Sequence, residues 1–351
     1  MRHWVLRLLY LFQTHRIARF LTRKKTLIVC YHGFVRDGAG RGPGIENYQG
    51  KSLDLAAFRR HLAYFRKYYH VLFLDEFLDC VTSGRRLPAN SVVLSLDDGY
   101  QSNYTLAYPV LKEFNLPATI FLTTDFVDRK EWQWVDRLEY AINQTSLERL
   151  QVRIGGRTLS FELQDLDSKK RSDRELRSQL KKLPREAREE LIGEIEQTLG
   201  EKLPGHGTAP EVYRPLEWSQ IAEMVESGLI SIGSHTRSHT ILTQCSPETM
   251  QEELEDSRRV IEQKIGRACR FFAYPGGRKG DFDARTKEGL KKSGYGCALT
   301  TVEGMNDVNS DLYELKRLGV YENFIEFVMC ISGVLTLLSR IKQWRRFRYF
   351  R

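Results

Sequence analysis

Ser91-Val92-Val93-Leu94-Ser95-Leu96 is a run with no solvated face, and it stops on Asp97-Asp98-Gly99-Tyr100. A strand with no side left for water must be covered on both faces, as in parallel sheets flanked by helices. At the end of such a strand the chain is already turning, so two neighbouring carboxylates can reach one pocket although strand residues otherwise alternate. Close carboxylates repel, and a cation beside them relieves that cost. Asp-Gly is also a frequent turn signal, so the pair alone leaves a plain turn as an equal reading.

A second apolar run, Leu229-Ile230-Ser231-Ile232-Gly233, ends in Ser234-His235-Thr236-Arg237-Ser238-His239-Thr240. The four-residue spacing of His235 and His239 predicts one helical turn with both imidazoles on the same face, able to hold one metal ion. Two histidines and an aspartate supply three ligands and leave a place for water, the pattern of a catalytic metal site.

Strand and helix alternate around these runs. Residues 26–31 read as a first strand ending at His32, and the Gly-rich span 33–50 as a loop. Ser52 or Asp54 caps a helix to about Tyr68, with Phe58, Leu62 and Phe65 on one face. A strand over 71–74, a short helix from Asp75, the Asp strand, a helix to about Phe114 and a strand over 118–122 follow. After residue 216 come a helix to about Ser227, the His strand, a long helix over 247–265, and closing strands at 270–273, 297–300 and 315–318. This rhythm predicts a mainly parallel sheet or barrel with its site at the C-terminal strand ends. Between them the rhythm breaks. A hairpin turns at Gly155-Gly156, and two charged amphipathic helices occupy 168–183 and 184–199, with Pro184 at a first helical position. The expected layout is an N-terminal segment 1–25, a barrel formed by 26–135 and 214–322, an insertion 136–213 and a tail 323–351.

Leu96-Asp97-Asp98-Gly99 and Ser234-His235-Thr236-Arg237-Ser238-His239 resemble the first two motifs of the polysaccharide deacetylases, the NodB-type carbohydrate esterases. Cys30-Tyr31-His32-Gly33 and Ala273-Tyr274-Pro275-Gly276-Gly277 resemble the forms found in the exopolysaccharide-deacetylating branch. Residues 117–121 and 294–298 fall in the matching order, so the resemblance runs over roughly residues 26–320. The fold it implies is an irregular (β/α)7-type barrel, here with an inserted hairpin-plus-helices subdomain.

The resemblance implies a divalent metal on Asp98, His235 and His239. Zinc suits the two imidazoles best, with cobalt, nickel or manganese as alternatives. Asp97 would be the general base for the attacking water, and an N-acetylated glycan the substrate. Two family features are missing. Leu315-Lys316-Arg317 stands where a Leu-x-His commonly supplies the acid, and Ala273 where an arginine commonly orients the base. His32 is therefore the candidate for a supporting or proton-donating role. Tyr274, Pro275 and Gly276 are expected to line the groove, with Trp134, and Trp132 beside it, as stacking surfaces for a sugar. A catalytically silent glycan binder, or a scaffold of a polysaccharide assembly complex, is the alternative.

The net charge of +9 is concentrated at the ends. Residues 1–25 hold seven Lys/Arg and residues 340–351 six, with no acid in either, so the body between is net −4. With no nucleic-acid motif and a mildly acidic body, a nucleic-acid partner is not expected. Both ends are also apolar but too short to span a bilayer, which suits helices lying in a membrane interface. Packing onto the body is the alternative. The first apolar stretch is broken by Arg7 and lacks a small-residue cleavage site, so it does not read as a signal peptide. Six scattered cysteines without a CxxC fit reduced thiols. The expected location is cytoplasmic, at the inner face of the membrane.

Overall fold

A computed structural model describes residues 2–36, 38, 44–205 and 208–340. The first strands are β1 (Leu27–Tyr31), β2 (Gly33–Val35), β3 (Ser52–Asp54), β4 (His70–Leu72), β5 (Ser91–Leu96) and β6 (Ala118–Leu122). An antiparallel hairpin follows, β7 (Arg149–Ile154) with β8 (Arg157–Glu162). The chain then returns to β9 (Ile230–Ser234), β10 (Phe271–Ala273), β11 (Cys297–Glu303) and β12 (Leu315–Gly319). Seven parallel strands close a barrel in the order β1-β12-β11-β10-β9-β6-β5, with β5 pairing back to β1. β5 gives one edge to β1 and divides the other, Ser91–Val93 pairing with β4 and Ser95–Leu96 with β6.

The absence of a polar face on β5 follows from this closure. Val93 joins Ile28, Phe121, Phe271, Cys297, Leu299 and Leu315 in one cluster that fills the barrel, while Val92, Leu94 and Leu96 pack outward beneath the helices. The two-residue period thus serves two cores at once. Gly233 on β9 is needed for this filling: a Cβ there would come 2.6 Å from the Phe121 ring. Continuing the inward parity upward puts Ser95 and then Asp97 at the top of the barrel interior.

Local signals explain the covering helices. Asp54 caps Leu55–Tyr68 by accepting from the Ala56 and Ala57 amides, and Phe58, Leu62 and Phe65 are buried. Pro247–Ile265 starts under the Ser246 hydroxyl and ends on left-handed Gly266, as capping chemistry requires. Some expectations need correction. The 33–50 span is not wholly loop, because β2 pairs with β3. The helix ending at Phe114 begins with a π-helical turn over Asn103–Ala107. Pro184 is the N-cap of Arg185–Leu199 and not its first helical residue.

The insertion has an apolar core of its own, built from Leu138, Ile142, Leu150, Phe161, Leu176 and Ile192 among others. Ile45 and Trp134, from outside the span 136–213, belong to the same cluster. A buried polar network ties it to the barrel. The Tyr100 hydroxyl donates to Asp136 (2.7 Å), which also pairs with Lys51, and Arg177 bridges Glu139 (3.0 Å) and Asp173 (2.7 Å). At the N-terminus, helices Arg2–Leu11 and Thr14–Thr22 lie against Phe324–Ile331 and Val334–Arg340. Residues 341–351, which carry most of the expected basic tail, lie outside the described residues.

Candidate active site

Asp97 and Asp98 leave the top of β5 in different conformations. The Asp97 amide donates to the Tyr31 carbonyl (2.9 Å), so this residue keeps the strand's inward direction. Asp98 turns out of it at φ 77°, in the left-handed region that costs a non-glycine residue strain. Gly99 follows at φ 87°, and a Cβ on it would meet Leu122 at 2.9 Å. The turn brings both carboxylates to one pocket, each buried.

His235 and His239 come to the same pocket, but by a route other than the one expected. The segment after β9 is an irregular loop and not a helical turn, with Thr236 at φ 66° and His239 at φ 56°. A β-branched residue at positive φ is held there by its surroundings. The Thr236 and Arg237 carbonyls accept from the Thr124 and Asp125 amides (3.3 and 2.8 Å). Glu253, fully buried on the helix Pro247–Ile265, accepts from the Ser238 amide (2.9 Å) and hydroxyl (2.6 Å). The rings end 4.9 Å apart.

Three donors converge here. Asp98 Oδ1 lies 3.6 Å from His235 Nε2 and 3.4 Å from His239 Nε2, and it is buried without a hydrogen-bond partner among the described residues. Bonds of about 2.05 Å in a tetrahedral zinc shell set ligand atoms about 3.3 Å apart, so these separations match the edges of such a shell. The Ala273 carbonyl accepts from His235 Nδ1 (2.7 Å), which leaves the Nε2 lone pair aimed at Asp98. Desolvation outweighs the attraction of Asp98 and pushes the His239 pKa down to about 4, keeping the imidazole in the neutral form a metal requires. Two imidazoles and a carboxylate form a zinc-type donor set, and these residues fit a divalent cation.

Asp97 is held by a residue that the sequence reading passed over. Arg317 on β12 donates from Nη1 to Asp97 Oδ1 at 2.7 Å and from Nε to the Thr300 carbonyl at 2.8 Å. It is fully buried, one of the few charged residues in the barrel interior. Burial alone would raise the Asp97 pKa, but the Arg317 guanidinium, with His235 and His32 nearby, more than reverses this and holds the carboxyl well below the usual range. Arg317 thus makes the contact to Asp97 that the sequence reading expected of an arginine at the position of Ala273. The sequence shows an arginine alternating with leucines in the strand Leu315–Gly319, but not which carboxylate it would face. On the other side, Cys30 Sγ is 3.5 Å from Asp97 Oδ2, and His32 stands within 4.8 Å of both. Burial pushes the Cys30 thiol pKa upward.

Two cavities open beside residues that face the carboxylate pair. One of about 810 Å³ is bordered by His32, Cys30, Tyr48, Lys51, Arg174 and Arg278. Another of about 430 Å³ is bordered by His239, Asp125, Trp132, Trp134, Arg185 and Glu189. The insertion contributes to each wall, Arg174 to the first and Arg185 with Glu189 to the second. Trp134 reaches the second cavity, although most of its ring is packed in the insertion's core with the Arg188 guanidinium 5.1 Å from its centre. Tyr274 is not a groove residue. Its ring is buried against Phe282 (5.0 Å) and its hydroxyl donates to the Tyr313 carbonyl (3.1 Å). Pro275 is buried as well, and half-buried Gly276 takes φ 70° where a Cβ would strike Asp281 at 2.4 Å. These three residues shape the turn under the pocket.

Residues 84–298 match the family model described as polysaccharide deacetylase. The polysaccharide-deacetylase-like protein YxkH of Bacillus subtilis (strain 168) is 23% identical over 252 residues, 72% of this chain and 59% of that protein. The poly-beta-1,6-N-acetyl-D-glucosamine N-deacetylase of Escherichia coli (strain K12) is 35% identical over 78 residues, 22% of this chain and 12% of that enzyme. The chain thus spans less than two thirds of the length of these curated relatives. Among solved structures, the Streptococcus pyogenes deacetylase PplD in complex with acetate superposes with a TM-score of 0.56 at 18% identity, covering 89% of this chain and 97% of that one. At that identity the likeness is one of fold.

Proposed function

The chain belongs to the polysaccharide deacetylase family, and on that premise we propose that it is a metal-dependent hydrolase removing N-acetyl groups from an amino-sugar glycan. The observation that carries the reading is the pairing of two differently prepared carboxylates: Asp98 unpartnered between two imidazoles, Asp97 ionised on Arg317. Asp98, His235 and His239 would hold the cation, with zinc the best match to two imidazoles and a carboxylate. When bound, it supplies Lewis acidity, polarising the acetamide carbonyl and acidifying water. Asp97 accepts the proton of the attacking water as a C–O bond forms at the acetyl carbon. The C–N bond then breaks, acetate leaves, and the sugar nitrogen takes up a proton to become an amine. His32 is the proposed donor or relay of that proton, since it borders the cavity next to Asp97. The walls contributed by the insertion, with Trp134 and Trp132, are proposed to hold sugar rings on either side of the reacting one.

The reading extends to a lipid-linked glycan at the inner face of a membrane. It is supported by the apolar, acid-free N-terminal residues and by six free cysteines. A protein found only in the soluble fraction and active on free oligosaccharide alone would sink this extension. A silent glycan binder or a scaffold is favoured by one feature, the lack of a histidine at Leu315-Lys316-Arg317. The deciding experiment measures metal content and acetate release from N-acetylglucosamine oligomers, for wild type and Asp97→Asn. Expected are roughly one metal per chain and release lost in the variant. Metal and glycan binding without release would favour the silent reading, and a chain that binds no metal would undo the site.

A further inference from the structure

Of the eleven large apolar side chains exposed among the described residues, seven fall between Trp4 and Leu21. They are not scattered. On the helix Arg2–Leu11, Trp4, Leu8 and Leu11 recur at helical spacing, and on Thr14–Thr22 so do Ile17, Phe20 and Leu21, with Phe12 between the helices. Trp4 is 71% and Phe12 76% exposed. The opposite stripe of the same helices is already used. Leu6, Leu9, Tyr10 and Ala18 pack with Met329 and Val334, His15 stacks on Tyr10, and Arg19 donates to the Tyr64 hydroxyl (2.8 Å). The first helix thus carries apolar residues on two sides, with Arg7 beside them, yet only one of those sides meets protein. Such a helix is normally enclosed by a core or a membrane.

The charge around the outer stripe selects the occupant. Arg7, Arg16, Arg23, Lys24 and Lys25 surround it, no acid occurs before Asp37, and none of the five pairs with a carboxylate among the described residues. No helix of the described residues is long and apolar enough to cross a membrane. We propose that this face docks on the surface of an anionic lipid bilayer, with the six outer residues of the two helices and Phe12 in the acyl boundary and the basic residues among the headgroups. The proposal deepens the reading of a membrane-side substrate, and it accounts for the helices carrying this stripe being packed on the body. The docking itself needs no catalysis.

The test is co-sedimentation of the purified full chain with vesicles of phosphatidylglycerol and phosphatidylcholine, against vesicles of phosphatidylcholine alone. Expected is binding to the mixed vesicles that weakens several-fold when salt is raised to about 0.5 M. The double variant Phe12→Asp/Phe20→Asp should bind at least about tenfold less, since each buried aromatic contributes strongly to partitioning. Both residues are exposed, so melting temperature, metal content and acetate release from free oligosaccharide should be unchanged in that variant. Asp97→Asn should bind vesicles as wild type does, which separates failure of docking from failure of the deacetylase reading. Absence of binding to either vesicle, or equal binding by the double variant, overturns the proposal. So does a wild-type dimer in light scattering that the double variant abolishes, because the face would then cover a second copy. Equal, salt-insensitive binding to both vesicles overturns the anionic selectivity.

Discussion

Asp97 and Arg317 form a buried ion pair in the barrel, and each is the reason the other can be there. Replacing one member of such a pair leaves the other charge uncompensated, at a cost of about 3–5 kcal/mol. Arg317→Met should therefore lower stability by that order in denaturant unfolding, and it should reduce kcat for acetate release at least about tenfold with less effect on KM. Arg317→Lys should recover part of both, because a charge is restored without the two-nitrogen geometry. His61 gives a pH signature of another kind. Its ring is stacked on Phe327 (3.6 Å), and burial pushes its pKa down to about 3. The unfolded chain takes up this proton first, so stability should fall as pH drops below about 6.5, by up to ~1.4 kcal/mol per unit until about pH 3. Thermal melts of wild type against His61→Phe check this, the variant losing that part of the slope. The acids and histidines were legible because chemistry concentrated them at the ends of apolar runs. Arg317 was not, since an arginine in a strand gives no hint of which carboxylate it faces 220 residues away.

At the scale of elements, strands and capped helices were read well because their signals are local. Pro247–Ile265 has its cap, its proline and its terminal glycine in the sequence itself. The loop after β9 was misread because its shape is not local. The spacing of His235 and His239 suits a helix, but the backbone is pulled away from it by the Thr124 and Asp125 amides and by Glu253. Glu253→Ala should accordingly loosen the loop without touching a ligand. Metal affinity measured by chelator competition is expected to fall about 10–100-fold, as for other partners that orient ligands, while the helix remains folded by circular dichroism. Unchanged affinity would show that the backbone anchors suffice.

The barrel and the insertion keep separate cores, with a polar seam between them. The insertion was visible as a break in the alternation of strand and helix, but its embrace of Ile45 and Trp134 was not, because Ile45 lies in a loop with no pattern of its own and Trp134 begins a helix that runs on into the insertion. Ile192 is fully buried in the smaller core. Ile192→Ala should cost about 2–4 kcal/mol locally, raising hydrogen exchange in the insertion while leaving that of the barrel strands and the metal content near wild type. If the insertion frames the groove, the same variant should lose activity on long oligomers more than on short ones, a difference that rate measurements across chain lengths would show.

The ring closes between β1 and β12, the first and last of its strands. A chain emerging from the ribosome displays its acidic pair long before the histidines arrive, and the guanidinium that holds Asp97 comes later still, 220 residues after it. Until then Asp97 has no counter-charge and the barrel has an open seam. The site is thus assembled only when β12 docks: a product that stopped before this strand would carry its acidic pair without a counter-charge, in a ring with one edge open.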